Sequence, residues 1–343
     1  MNEEISVGVV GMGKMGIMHA GILNNLNGVS VKAVADTQKL ITHFIENQLT
    51  GINAYDNYEE MLSKEDLDVV YITTPTSLHP RVAVNCVNNG IPFFVEKPLG
   101  INTESCAPLL ELLQKTYVTN MIGYSKRFVS TFKMAKQIID NKELGEMIYF
   151  NSTMYVSQLF SRGRGWRYDK GISGGGVLNT LGTHLIDLLL WFFGDYSYVQ
   201  GGTKRYYSSD VEDFAHAYIA FNSGIEGTID TSWSVRNYRL PEIKIEVHCS
   251  RGMFVVTDDY IKIFTDADNA WKEYYKQDFV SGVDFDLGGP EYTMEDKHMV
   301  ECVKKNVKTD LDVFEGFAVQ KVIEEIYKTA SNKAEMGVNT HDY

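Results

Sequence analysis

The chain has 343 residues, 44% of them hydrophobic and 22% charged, which is enough for two domains that each bury a core. A formal net charge of −13 counts against a general nucleic-acid surface and leaves no basic tract for a membrane. No apolar run approaches the ~18 residues of a spanning helix, and four scattered cysteines without metal spacing fit reduced thiols in a cytoplasmic protein.

The acidic start, Met1 to Glu4, leads directly into a strand and does not read as a signal peptide. Ile5–Val10 is β-rich and runs into Gly11-Met12-Gly13-Lys14-Met15-Gly16, followed by a helical stretch from Ile17 to about Asn25. This is G-x-G-x-x-G with a strand before it and a helix after it. The first glycine allows the tight turn, the second lets a pyrophosphate approach the backbone, and the third lets helix and strand pack closely. The helix start then offers free N–H groups to the phosphates. The next strand, Val29–Ala35, ends in Asp36, 20 residues after Gly16. An acid there binds a ribose 2′-hydroxyl and repels a 2′-phosphate, so NAD is expected over NADP.

The alternation continues with a helix over Lys39–Gln48, a strand over Asn53–Tyr55, a helix over Tyr58–Ser63 and a strand over Asp68–Ile72. Thr73, Thr74, Pro75, Ser77 and His79 follow that strand's carboxyl end and are expected to border the cofactor. His79 has two readings, a helix-start residue bonded to backbone or a ligand contact. A helix over Leu78–Asn89 leads to the strand Phe93-Phe94-Val95, then Glu96-Lys97-Pro98, a helix over Thr103–Lys115 and a strand over Asn120–Gly123. Six strands with intervening helices make a doubly wound parallel sheet, a Rossmann domain over residues 1–124. Glu96 and Lys97 fall where such sheets bind ligands, and a lysine partly desolvated there is suited to proton transfer.

The glycine loop, Thr74-Pro75 with His79, and Glu96-Lys97-Pro98 together resemble the glucose–fructose oxidoreductase / inositol dehydrogenase (Gfo/Idh/MocA) family, over nearly the whole chain. In that family the lysine of Glu-Lys-Pro touches nicotinamide and substrate, so the resemblance makes Lys97 the candidate here. It also places Tyr124 and Arg127, in Tyr124-Ser125-Lys126-Arg127-Phe128, at the exit from the first domain, with Arg127 near the nicotinamide.

Residues 125–343 are expected to form an α+β substrate and oligomerisation domain. A helix over Thr131–Asn141 and a strand over Met147–Ser157 lead to Ser161-Arg162-Gly163-Arg164-Gly165-Trp166-Arg167-Tyr168, basic and aromatic within an acidic chain. Arg162, Arg164 and Arg167 can hold phosphate or carboxylate, and Trp166 can lie on a sugar face. A triple glycine, Gly174–Gly176, then opens an apolar helix that stops at Gly194. Its N–H groups are left close to whatever lies above the helix start. Thr180, His184 and Asp187 are spaced by four and three and share one helical face, with Thr183 beside them. The segment is similar to the family's G-G-G-x-L-x-D-x-G-x-H helix. His184 matches the histidine, but Thr180 stands where the family has aspartate and cannot act as a carboxylate base.

Six further strands follow between Tyr198 and Phe264: Tyr198–Tyr206, Val211–Phe221, Ile225–Trp233, Glu242–Cys249, Met253–Val256 and Tyr260–Phe264. They read as an open, mostly antiparallel sheet, with one face on the glycine-led helix and the other, by resemblance, building a homodimer or homotetramer. A polar loop over Asp284–Tyr292 precedes final helices over Met294–Lys304 and Phe314–Thr329, expected to pack back on the domains. These features point to an NAD(H)-dependent oxidoreductase acting on a secondary hydroxyl or ketone of a sugar, nucleotide-sugar or cyclic polyol. His184 is the expected proton carrier, since an imidazole of pKa ~6.5 needs little tuning, and Lys97 steadies the alkoxide. A glycoside-cleaving relative that recycles NAD and a non-catalytic dinucleotide-binding regulator are the alternatives.

Overall fold

A computed structural model describes residues 4–279 and 286–335. The chain falls into two compact units, Met1–Phe128 with Ser281–Phe317, and Val129–Val280 with Ala318–Tyr343.

The first unit begins β1 (Ile5–Val10), α1 (Lys14–Leu23), β2 (Val29–Ala35), α2 (Lys39–Gln48), β3 (Asn53–Tyr55) and α3 (Tyr58–Lys64). It continues β4 (Val69–Ile72), α4 (His79–Asn88), β5 (Phe93–Val95), α5 (Thr103–Leu113) and β6 (Asn120–Ile122). The strands pair in parallel in the order β3-β2-β1-β4-β5-β6. This is the doubly wound arrangement, and it reverses direction at β1/β4, where such sheets take their ligand. Covered on both faces by helices, β4 and β5 can be uniformly apolar. Val69 to Ile72 and Phe93 to Val95 are all fully buried, with Tyr71 and Phe94 stacked at 4.7 Å. Asn57 and Asn102 cap α3 and α5, accepting the N–H groups of Glu59 and Ser105.

The second unit contains α6 (Ser130–Asp140), β7 (Met147–Tyr155), α7 (Lys170–Ser173), a π-helical turn over Leu178–Gly182, and α8 (Thr183–Phe193). Strands β8 (Tyr196–Lys204), β9 (Phe214–Phe221), β10 (Glu226–Ser232), β11 (Glu242–Cys249), β12 (Gly252–Thr257), β13 (Tyr260–Thr265) and β14 (Ala270–Tyr275) follow. The eight-stranded sheet runs β14-β13-β12-β11-β7-β10-β9-β8 and is antiparallel except for the parallel pair β7/β10. Phe193 of α8 packs on Phe150 and Phe221 at 5.0 and 5.3 Å, seating the glycine-led helix on the sheet. Lys170–Phe193 is long and apolar enough to cross a membrane, but 78% of its apolar window is buried, as in a core helix.

Two helices close the described chain, α9 (Pro290–Lys305) in the first unit and α10 (Val313–Glu335), whose first turn belongs to the first unit and the remainder to the second. Within the first unit α9 packs on α1. It starts four residues before the expected Met294. Pro290 and the preceding glycine pair read as loop signals, yet proline at a helix's first position is a start signal. Asp284 and Phe285 of the expected loop lie outside the described residues. Strand β14 was not foreseen because nearly all of it is exposed, so it lacks the apolar alternation that marks a half-buried strand. Strand β9 starts at Phe214 rather than Val211. Asp213 instead accepts the N–H groups of Tyr206, Tyr207 and Ser208, and Glu212 turns to the glycine run.

Candidate active site

The glycine loop and α1 form one cradle in the first unit. Helix α1 begins at Lys14, earlier than the expected Ile17, so the motif itself supplies the helix start. Gly13 is its N-cap and no side chain caps it, which leaves the first N–H groups for an anion. A Cβ on Gly13 would meet nothing within 4 Å, whereas one on Gly16 would fall 2.0 Å from the Gly11 carbonyl oxygen. Open space at the second glycine and no space at the third is what a pyrophosphate above a tight strand–helix contact requires. Met12 N–H donates to Asp36 Oδ2 at 2.7 Å and Gln38 N–H to Oδ1 at 2.8 Å. The acid is thus held at the loop, with lone pairs to spare for a ribose hydroxyl.

Behind the loop, Thr73 Oγ1 donates to the Gly11 carbonyl at 2.6 Å. Thr74 Oγ1 is buried with no hydrogen-bond partner among the described residues. An orphaned hydroxyl beside the cradle is a polar group that a bound nucleotide can satisfy. These features fit a dinucleotide. Pro75 precedes a short 3₁₀ turn, Thr76–Leu78. His79 takes the backbone reading. Its Nδ1 lies 2.8 Å from the Pro98 carbonyl oxygen and its Nε2 2.8 Å from that of Thr74, and the neutral ring donates to one of these carbonyls while facing the other. It ties the loop after β4 to the loop after β5, and burial pushes its pKa down. Its place among the expected cofactor contacts therefore rests on holding the loops, not on a free ring nitrogen.

Lys97 follows β5, half-buried, with a cis bond to Pro98. Glu96 is buried, and its Oε2 accepts Lys97 N–H at 3.0 Å. Its Oε1 meets His19 Nε2 at 3.2 Å. His19, on α1, is fully buried, and its Nδ1 lies 2.8 and 3.0 Å from the two oxygens of Asp296 on α9. Burial alone pushes the imidazole down, but Asp296 and Glu96 outweigh it and hold it well above its ordinary value. Burial pushes the Glu96 carboxyl up, but the His19 hydrogen bond and charge, then Lys97, hold it below the usual range. His19 and Asp296 escaped sequence reasoning. Nothing marks the histidine three positions past Gly16, and Glu295-Asp296 reads as an exposed pair on a polar helix.

Glu295 is fully buried beside them, and neither carboxyl oxygen has a hydrogen-bond partner among the described residues. Burial holds this acid well above its ordinary value of 4.5. The folded state therefore favours the protonated form more than the unfolded chain does. The stability this site contributes is complete below that ordinary value and is lost as pH rises through the interval up to the folded value. Glu295→Gln, which cannot titrate, is expected to gain a few degrees of melting temperature over wild type between about pH 5 and about pH 8, and nothing at about pH 4. Melting curves across that range check it.

Arg127 is buried, not at the surface, and its Nη2 donates to Glu315 Oε2 at 2.8 Å. Tyr124 is fully buried. The first unit thus brings together the glycine loop, Asp36, Thr73, Thr74, Pro75, His79, Glu96 and Lys97.

In the second unit the triple glycine has an internal partner. Glu212 accepts Gly176 N–H at 2.9 Å and Leu178 N–H at 3.0 Å, and its carbonyl accepts Val177 N–H at 2.9 Å. Tyr327 OH also donates to it. What lies above this helix start is the chain's own Glu212, whose carboxyl burial pushes up, and a Cβ on Gly176 would fall 1.8 Å from the Glu212 carbonyl oxygen. The π-helical turn breaks the assumed spacing: Thr180 is half-buried and donates to the Gly176 carbonyl at 2.8 Å, while Thr183, His184 and Asp187 are buried. Such turns recur at functional sites. Asn179 is spent on the Ser173 carbonyl. Arg162, Arg164, Trp166 and Arg167 are exposed, with Arg167 over the Trp166 ring at 5.6 Å. Tyr168 anchors their loop in a cluster with Trp233, Val177 and Leu181, beside the glycine-led helix.

Comparison with known proteins agrees with this geometry. Residues 5–124 match the GFO/IDH/MocA oxidoreductase family with an NAD-binding Rossmann fold, and residues 132–255 match the GFO/IDH/MocA C-terminal domain. Scyllo-inositol 2-dehydrogenase (NAD(+)) of Bacillus subtilis (strain 168) is 27% identical over 329 residues, covering 91% of each chain. Inositol 2-dehydrogenase of Corynebacterium glutamicum (strain R) is 24% identical over 260 residues, 75% of this chain and 72% of its own. The solved structure of levoglucosan dehydrogenase in complex with NADH superposes with a TM-score of 0.87 at 20% identity, over 96% of this chain and 97% of its own, a likeness of fold.

Proposed function

The chain belongs to the GFO/IDH/MocA family of oxidoreductases with an NAD-binding Rossmann fold, and on that premise we propose that Lys97 and His184 carry the oxidation of a secondary alcohol, or the reduction of the ketone. It is an NAD-dependent oxidoreductase of sugars or polyols, in keeping with its inositol and levoglucosan dehydrogenase relatives. The observation that carries the reading is Lys97, half-buried at the carboxyl end of β5 in the same unit as the open Gly13 and the tethered Asp36.

NAD, when bound, supplies the hydride acceptor or donor. Residues Gly11 to Gly16 would hold its pyrophosphate, Asp36 a ribose, and Thr73, Thr74 and Pro75 would line its path to the reacting end. Asp36 disfavours NADP by charge. Lys97 donates a hydrogen bond to the substrate oxygen and stabilises negative charge as it develops there. His184 exchanges the hydroxyl proton, a contribution on the order of 10² to 10⁴ in rate. With Thr180 in place of a carboxylate, Lys97 and His184 carry the proton chemistry between them. Arg162, Arg164, Trp166, Arg167, Tyr124 and Thr183 are the proposed surroundings of a carbohydrate, and Arg127 a further contact for the cofactor. The protein is further read as cytoplasmic, and as a homodimer or homotetramer because Ile148, Tyr198 and Trp271 on β7, β8 and β14 are at least half exposed on the large sheet.

A thermal-shift screen with NAD present tests the substrate class. An inositol or pyranose is expected to raise the melting temperature selectively, by RT ln(1 + [L]/Kd) of added stability. Equal response to sugars, polyols and unrelated acids contradicts the reading.

A further inference from the structure

We propose that His19 is a positioning residue for Lys97: Asp296 of α9 fixes the ring from one side, the ring holds Glu96 from the other, and Glu96 holds the backbone at Lys97. The proposal rests on the reading of Lys97 as the residue that meets substrate. The contacts run in sequence. Asp296 Oδ1 to His19 Nδ1 is 2.8 Å, His19 Nε2 to Glu96 Oε1 is 3.2 Å, and Lys97 N to Glu96 Oε2 is 3.0 Å. Phe94, Tyr71 and Tyr292 surround the ring at centroid distances of 5.0, 5.5 and 6.4 Å, so it cannot turn without moving the core of the sheet.

An ionised carboxylate only accepts hydrogen bonds. A ring that meets an ionised carboxylate at each nitrogen satisfies both only by carrying both protons. His19 is then a cation fixed inside the unit, and its charge lets Glu96 stay ionised while buried. The groups that face this centre include Glu96 and Lys97 after β5, Tyr71 on β4, His79 on α4, Lys126, and Glu291, Tyr292, Glu295 and Asp296 on α9. Burial pushes Glu295 towards its neutral form, and it pushes the Asp296 carboxyl up too, while the charge and hydrogen bond of His19 pull Asp296 back. His19 also sits on α1, the helix whose start forms the phosphate cradle. The element that receives the dinucleotide and the backbone that presents Lys97 are therefore joined by one ring. The same groups lie close enough to ligate a metal, since the ligand atoms of His19, Glu295 and Asp296 lie within 4.8 Å of one another. Proton bridging is favoured because both ring nitrogens already meet carboxylate oxygens at hydrogen-bond distance.

The test uses the full-length protein with NAD added. Side-chain ¹⁵N NMR of the wild type, with His19→Gln for assignment, is expected to show His19 with both nitrogens protonated at neutral pH. A neutral ring, or purified protein in which a metal replaces the ring protons, overturns the proposal. The second arm compares His19→Asn, which can still donate to Asp296 but not reach Glu96, with His19→Gln, which reaches Glu96 but not Asp296. In protein carrying ¹³C-methylated lysines, with Lys97→Arg for assignment, the Lys97 signal is expected to move in His19→Asn and stay near wild type in His19→Gln. On any sugar or polyol the wild type oxidises, kcat falls at least tenfold in His19→Asn with the Kd for NAD within threefold. An unmoved Lys97 signal in folded His19→Asn, or equal shifts in both variants, overturns the proposal. If neither variant folds, the wild-type ring protonation decides. Both spectroscopic arms are independent of turnover, so an unreactive protein with the predicted spectra contradicts the dehydrogenase reading and not this one.

Discussion

Lys97→Ala is expected to lower turnover on the protein's sugar or polyol substrate by about 10² to 10⁴ while leaving NAD affinity within about threefold. The argument is local. In the proposed reading the Lys97 ammonium is the group that stabilises charge on the substrate oxygen. The fold should survive the loss, because His19 contributes more than Lys97 to keeping Glu96 ionised. The interaction lost is one made mainly in the transition state, so kcat should fall more than KM rises. His184→Ala is expected to act in the same direction through the proton. Steady-state kinetics with separate NAD titrations check both, and near-normal turnover in the two variants would sink the assignment.

Gly16→Ala is expected to weaken NAD binding by about 100-fold or more and to lower stability by about 1–3 kcal/mol. The new methyl carbon would lie 2.0 Å from the Gly11 carbonyl oxygen and 2.8 Å from Thr73 Oγ1. Neither can yield cheaply, since Gly11 is backbone at φ +95° and Thr73 Oγ1 is bonded to that same carbonyl. Helix α1 must therefore retreat from β1 and the cradle must open. Gly13→Ala is the control, because its methyl meets nothing within 4 Å. It should melt like the wild type yet bind NAD more weakly, since the methyl occupies the space assigned to pyrophosphate. Calorimetric titration and melting curves on the pair separate a broken fold from a blocked ligand. A Gly16→Ala protein with normal NAD affinity contradicts the account of the loop.

The first unit was legible because its signals are local. A strand, a glycine loop and a helix follow one another without interruption, and buried parallel strands such as Val69–Ile72 and Phe93–Val95 appear as apolar runs between turns. The family was legible for the same reason, through Gly11 to Gly16 and Glu96-Lys97-Pro98. What escaped was non-local. Asp296 lies 277 positions from the His19 it binds, and Glu212 lies 36 positions from the glycine whose N–H it accepts. Spacing along a chain carries no sign of such partners. The triple glycine shows the consequence. Its sequence fits a ligand-binding helix start equally well as a close approach to an internal carboxylate, and only the position of Glu212 separates the two. The π-helical turn at Leu178–Gly182 is a similar case, since it shifts the register on which the shared face of Thr180, His184 and Asp187 was reckoned.

His79 teaches the converse point. Sequence left two roles open, and the structure sets the ring between the carbonyls of Thr74 and Pro98, each at 2.8 Å. His79 joins the loops after β4 and β5, and His19 on α1 joins α9 to the loop after β5. Both act behind Lys97 and neither need touch a substrate.

The most direct measurement of the central claim is deuterium transfer. The wild-type protein is incubated with NAD and an inositol or pyranose that carries deuterium at its secondary carbons, and the nicotinamide is analysed by mass spectrometry. The account predicts accumulation of reduced cofactor bearing one deuterium, stoichiometric with ketone, and its loss in Lys97→Ala. Tight NAD binding with no label transferred, or release of free sugar from a glycoside with no net reduction of NAD, would contradict it.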